Sequence, residues 1–126
     1  MVRTTGDLGE KIAVEFLQEN GYQILHANWR FGRCEIDIIA RIAETLVFVE
    51  VKTRSGSSRY GFPESFVSCR KQMLLLQCAQ GYIKENLYIG QARFDVISVR
   101  IQHRTETDVR GTHVIDHFID AFYGIY

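Results

Sequence analysis

The sequence predicts one α/β domain in which helices cover a mixed β-sheet. Three observations predict it: an N-terminal helical periodicity, two β-branched runs joined by a break too short for a crossover, and a second helical pattern before a further strand. At 126 residues and 46% hydrophobic content, the chain suits a single domain with an ordinary core.

From Thr5 to Asn20 the apolar residues Leu8, Ile12, Ala13, Phe16 and Leu17 recur at helical spacing, and Gly21 stands where a left-handed cap belongs. Tyr22 to Arg30 mixes aromatic and aliphatic residues, Phe31-Gly32-Arg33 reads as a turn, and Glu35 to Arg41 and Leu46 to Thr53 read as strands. The break at Ile42-Ala43-Glu44-Thr45 is too short for parallel pairing and makes them a hairpin. Ser55 to Ser58 is a polar loop, and Pro63 stands at a helix entry. Phe66, Val67, Met73, Leu74, Leu76, Ala79, Tyr82 and Ile83 then recur helically, predicting one long helix or two abutting ones over about 63 to 86. Ala92 to Ile101 reads as a strand, Thr105 to Gly111 as an exposed excursion, and Val114 to Phe122 as an apolar tail docked on the core. The order α-β-β-β-α-β indicates a sandwich around a mixed sheet.

Composition excludes several classes. Three cysteines, Cys34, Cys69 and Cys78, without a Cys-x-x-Cys pair suggest neither a disulfide framework nor a zinc ribbon, and fit reduced thiols in a cytosol. Charges interrupt the first 16 residues where a signal peptide needs an apolar stretch, and no run approaches a membrane span, so a soluble cytoplasmic protein is expected. With Lys+Arg and Asp+Glu at 15 each, a phosphate-binding surface would have to be a local patch.

Chemistry concentrates on the hairpin. Alternation places Phe48, Glu50 and Lys52 on one face of their strand, and Glu35, Asp37 and Ile39 on one face of the preceding strand. If paired positions sum to 87, as a two- or four-residue loop gives, Asp37 lies opposite Glu50. Adjacent carboxylates in apolar strands need a cation to stay ionised, and carboxylates with waters are the habit of Mg²⁺. An isolated Glu50-Val51-Lys52 is ordinarily a solvated ion pair worth about 0–1 kcal/mol.

The wider pattern raises the weight of the functional reading. Gly9-Glu10, Gly21-Tyr22, Asn28-Trp29-Arg30, Glu35 to Ala40, Val47 to Arg54, Lys71 and Arg93 to Ile97 together resemble the YraN-like family of bacterial proteins. That family is itself similar to archaeal Holliday-junction resolvases and PD-(D/E)xK nucleases. The resemblance implies a restriction-endonuclease-like α/β/α sandwich with a central mixed sheet. It also implies Mg²⁺ or Mn²⁺ on Asp37, Glu50 and the Val51 carbonyl, Lys52 as catalytic lysine and Glu10 as an acidic partner. The family usually has glycine where this chain has Cys34, which bears on the turn and not on the carboxylates.

Arg30, Arg33, Arg54, Arg59, Arg70 and Lys71 flank the site in sequence as candidate nucleic-acid contacts, with Trp29, Phe31 and Tyr60 available for stacking or packing. A solvated basic rim is nearly as good an account of them. Glu10 also suits a first helical turn on electrostatic grounds alone. His26, His103, His113 and His117 are scattered and read as polar surface or strand ends, and Cys69 and Cys78 as small apolar residues on the long helix. The expected activity is cleavage of DNA phosphodiesters, with branched or damaged DNA in view. The rivals are a catalytically silent nucleic-acid-binding module on the same architecture and an interaction domain whose charges merely pair. Whether two copies join as a homodimer stays open.

Overall fold

The computed structural model describes residues 4–55, 67–103 and 112–122. In order it contains α1 (Thr5–Glu19), β1 (Gln23–Phe31), β2 (Cys34–Ile42), β3 (Thr45–Ser55), α2 (Cys69–Glu85), β4 (Gln91–His103) and β5 (Thr112–Phe122). The strands form one sheet in the order β1-β2-β3-β4-β5. Every neighbouring pair is antiparallel except β3 and β4, whose parallel pairing requires the crossover that α2 supplies.

Each helix starts on a hydroxyl cap. Thr4 accepts from the Asp7 amide at 3.0 Å and Ser68 from the Lys71 amide at 3.2 Å, satisfying donors that helix geometry leaves unpaired. The second cap starts α2 at Cys69, within the stretch expected to be helical: Val67 is buried ahead of it and Ser68 opens it, while Pro63 and Phe66 lie outside the described residues. Gly21 takes φ +87°, the left-handed exit expected for α1. The turn between β2 and β3 has two residues, with Ala43 at φ +50°. It sets Ile42 opposite Thr45 and Ile38 opposite Val49, the register whose positions sum to 87.

The apolar residues divide between two faces. On one, Leu8, Ile12, Ala13 and Leu17 of α1 pack on Ile38, Ala40, Val47, Val49, Val51, Ile97 and Val99. On the other, Leu75, Cys78, Ala79 and Tyr82 of α2 pack on Ile36, Ile39, Leu46, Phe48, Phe94 and Val96. The result is a mixed α/β layer structure with one described helix per face. Among the described residues no helix is long and apolar enough to cross a membrane.

The tail docks on the core as expected, and it does so as a strand that the sequence reading did not identify: Val114 to Phe122 forms most of β5, an edge strand on β4, with Phe122 buried. It is pinned by Asp95, which is fully buried. Arg93 Nε and Nη2 lie 3.0 and 3.2 Å from its two oxygens, the Asp120 amide donates to Oδ1 at 2.9 Å, and His117 Nε2 lies 2.8 Å from Oδ2. Arg93 also donates to the Tyr22 hydroxyl at 2.9 Å, tying the exit of α1 to the same centre. His117, read from sequence as polar surface, is therefore an internal partner with its side chain 11% exposed. The predicted excursion 105–111 lies outside the described residues.

Burial alone would raise the Asp95 carboxyl, but the hydrogen bonds from His117, Arg93 and the Asp120 amide outweigh it and hold it below the usual range. A depressed folded pKa contributes stability above the unfolded value, lost as pH falls through the folded one. Asp95→Ala is expected to cost about 3–5 kcal/mol in urea unfolding at neutral pH, because it strands two buried partners. Asp95→Asn is expected to flatten the loss of stability below about pH 4. A parent-like stability for Asp95→Ala would remove the pinning role.

Candidate metal and phosphodiester site

The site forms where the sheet splits. β2 pairs with β3 from Ile42↔Thr45 to Ile38↔Val49 and then leaves it, whereas β3 keeps β4 as a partner through Ser55 and β2 keeps β1 through Cys34. Asp37 stands at the first unpaired step. Its Oδ2 accepts the Val51 amide at 2.8 Å, so a side chain takes the place that a β2 carbonyl would fill in a continued ladder. The N–H and C=O of one residue project to the same strand edge, so the Val51 carbonyl also faces the split.

The alternation expected on β2 breaks here. Ile36 belongs to the α2 face and Ile38, two residues on, to the α1 face. On β1, Asn28 lies between the paired residues Ala27–Ile38 and Trp29–Ile36 and takes φ +54°, a conformation asparagine tolerates better than most residues. The kink turns Asp37 toward α1, where it lines a cavity of about 450 Å³ with Asp7, Glu10, Lys11, Val14, Ala27 and Ile38. Asp37 and Glu50 thus meet through the split rather than side by side on one uniform face.

Glu50 is only 6% exposed, on β3 between Val49 and Val51, within hydrogen-bonding reach of Asp37. Its Oε2 is buried without a hydrogen-bond partner among the described residues. Among the described residues the nearest cation is Lys71 Nζ at 4.0 Å, beyond a good hydrogen bond, and Lys52 acts on it electrostatically. Burial first, and then the adjacent Asp37, push the Glu50 carboxyl up to about 8, against the weaker pull of the two lysines. Glu10 is raised by burial and by Asp37, while a hydrogen bond from Asn28 works in the opposite direction.

Glu10 reaches this place because Gly9 precedes it. A Cβ at Gly9 would come within 2.8 Å of Thr53 Cβ, so glycine lets α1 lie directly on β3. Asn28 and Thr53 are members of the site that the sequence reading did not single out. A signal existed in the Asn28-Trp29-Arg30 and Gly9-Glu10 motifs, but a kink opposite Asp37 cannot be read from periodicity.

The basic residues are unequally placed. Lys71 and Lys52 border Glu50, while Arg70 is exposed in the first turn of α2 and Arg54 near the end of β3. Arg33 is exposed in the β1–β2 turn, and Arg30 is bound to Glu35 at 2.9 Å. Arg59 and Tyr60 lie outside the described residues. Cys34 pairs with Phe31 across a two-residue turn and donates its thiol to the Phe31 carbonyl at 3.0 Å, so the turn closes without a glycine at that position.

The donor set suits a hard divalent cation: two contiguous carboxylates, one with a buried unmatched oxygen, and a carbonyl edge facing the same split. Among the described residues no group of three or more His, Cys, Asp and Glu side chains is arranged to hold a metal ion, so Glu10 stands outside such a shell as the side chains lie.

Residues 9–99 match the model of the uncharacterised protein family UPF0102. A UPF0102 protein of Flavobacterium psychrophilum is 45% identical over 118 residues, covering 94% of this chain and 92% of the relative. One of Chlorobium phaeobacteroides is 37% identical, covering 93% and 91%, and one of Alkaliphilus oremlandii is 40% identical, covering 97% and 100%. With the family match spanning the split, both helices and most of the sheet, and these relatives alike along almost their whole length, the chain belongs to the UPF0102 family of YraN-like bacterial proteins.

Proposed function

We propose that the protein is a metal-dependent endonuclease acting on DNA, on a restriction-endonuclease-like sandwich. The observation that carries this reading is Glu50: a buried carboxylate with an unmatched oxygen beside a second carboxylate, in the one place where the sheet opens. A structural ion pair would close the 4.0 Å gap to Lys71, which here stays open and leaves the Glu50 oxygen unmatched among the described residues.

Asp37, Glu50 and the Val51 carbonyl would hold Mg²⁺ or Mn²⁺. When bound, such an ion polarises a phosphodiester and lowers the pKa of a coordinated water. The chain's own groups do the rest. The Val51 amide fixes the carboxylate of Asp37, a residue that lines the cavity. Lys52 and Lys71 bring positive charge to the Glu50 side of the split, where a phosphate's developing charge is stabilised. Glu10, steadied by Asn28 and raised by its surroundings, is placed to take or give a proton at the cavity mouth. Arg70, Arg54 and Arg33 extend the positive charge along the surface as backbone contacts.

With purified protein and Mg²⁺ or Mn²⁺, cleavage of branched, nicked or single-stranded DNA is expected. Asp37→Asn and Glu50→Gln should each lower it by about a hundredfold or more, without changing the far-UV circular dichroism. Calorimetric Mg²⁺ binding should disappear in both variants. Undiminished cleavage by Glu50→Gln would refute the assignment.

Two further outcomes follow from the geometry. Because the folded pKa of Glu50 is raised from 4.5 to about 8, its ionisation costs the fold nothing below the lower value and progressively more as pH climbs between them. Metal-free Glu50→Gln should therefore be more stable than the parent at about pH 8, by a few kcal/mol, and equal to it near pH 4 in thermal unfolding. Gly9→Ala should displace α1 from Thr53, costing about 1–3 kcal/mol and lowering cleavage more than Mg²⁺ affinity. Equal loss of both would place Glu10 in the metal shell itself.

A further inference from the structure

We infer that the groove between the β1–β2 turn and α2 is a pocket for one unstacked nucleobase, which would direct the nuclease to DNA carrying an unpaired nucleotide. The inference rests on the proposed action on DNA and names the substrate feature that the same site would recognise.

The groove has a volume of about 310 Å³ and is lined by Phe31, Gly32, Arg33, Cys34, Leu74 and Gln77. Its platform is the Phe31 ring, 42% exposed. The ring is seated from behind: a Cβ at Gly81 would come within 2.7 Å of it, so only glycine lets the ring lie on the helix. Trp29 lies parallel to it, with centroids 5.9 Å apart and an interplanar angle of 8°. Phe31 is thus fixed from the protein side and open on the other, as a stacking surface for a flat aromatic ligand must be. Leu74, 43% exposed, supplies an apolar wall.

The polar groups fit a nucleotide. Arg70, Leu74, Gln77 and Gly81 follow one another at spacings of four, three and four, so they form a single stripe on α2. Arg70 at one end and Arg33 in the turn carry positive charge at the rim, where a sugar-phosphate chain would pass. The Gln77 amide offers a donor and an acceptor to a base edge. A single reading group and a stacking platform give tolerance of base identity, so the feature recognised is the unpaired state.

The groove is linked to the proposed cleavage site by two elements, α2 and β2, that run from one to the other. Lys71, 4.0 Å from Glu50, and Gln77 are six residues apart on α2, about 9 Å along its axis. β2 runs from Cys34, in the groove, to Asp37 in three residues, roughly 10 Å. A base held on Phe31 therefore places a phosphate about two nucleotides away near the carboxylates.

The test is equilibrium binding of the full chain to fluorescent oligonucleotides in Ca²⁺, which occupies oxygen sites. A duplex with a single-nucleotide bulge is compared with the same duplex fully paired, for the parent, Phe31→Leu and Arg33→Glu. The parent should bind the bulged duplex about fivefold tighter or more. Phe31→Leu should erase that preference while keeping the affinity for paired DNA, and Arg33→Glu, at an exposed position, should weaken bulge binding with no loss of fold by near-UV circular dichroism. Equal binding of both duplexes by the parent, or a preference that survives both substitutions, overturns the pocket and leaves the nuclease reading standing. Failure to bind either DNA at low salt removes both.

Discussion

The bond between the Val51 amide and the Asp37 carboxylate organises this molecule. A ladder that continued past Ile38 and Val49 would have used that amide for a β2 carbonyl, and the sheet would have closed. By accepting it with a side chain, Asp37 satisfies a buried donor while releasing β2 to follow β1 and β3 to follow β4. The same bond holds Asp37 within hydrogen-bonding reach of Glu50. Opening of the sheet and placement of the first carboxylate are one event, which is why the site lies at the middle of the domain and not on a loop.

The rest of the fold supports that opening from both sides. α1 presses Leu8, Ile12 and Ala13 onto the β-branched face of β2 and β3 and brings Glu10 to the split. α2 fills the other face with Leu75, Ala79 and Tyr82 and presents Lys71 to Glu50. The Asp95 network sits one strand farther out and holds β4, β5 and the exit of α1 together. Two buried carboxylates, Asp95 and Glu50, thus do opposite work. Asp95 is saturated with donors and stabilises the fold, whereas Glu50 keeps a buried oxygen without a partner among the described residues.

Much of this was legible in the amino-acid pattern. The periodicity from Leu8 to Leu17, the short break at Ala43-Glu44 and the β-branched runs around Asp37 and Glu50 are local signals, and the register they imply is the one observed. What escaped was non-local. Val114 to Phe122 carries Asp116, His117 and Asp120 between apolar residues, so its strand character depends on pairing with β4 and on the buried Asp95, which lies 22 residues before His117 and 25 before Asp120. The kink at Asn28 and Asp37 depends on two strands bending together. The cap at Ser68 that opens α2 falls inside the stretch expected to be helical and was not singled out, while Pro63 lies outside the described residues.

The seat of α1 on β3 has an evolutionary corollary. Gly9 leaves no space for a methyl group against the Thr53 side chain, and Thr53 lies one residue beyond Lys52 on the strand that bears Glu50. Residues 9 and 53 are coupled by volume: enlargement at the first is tolerable only with reduction at the second. Across descendants of this fold, substitutions at these positions should travel as a pair, and a lineage that breaks the rule would be one in which the helix no longer needs to deliver its acid.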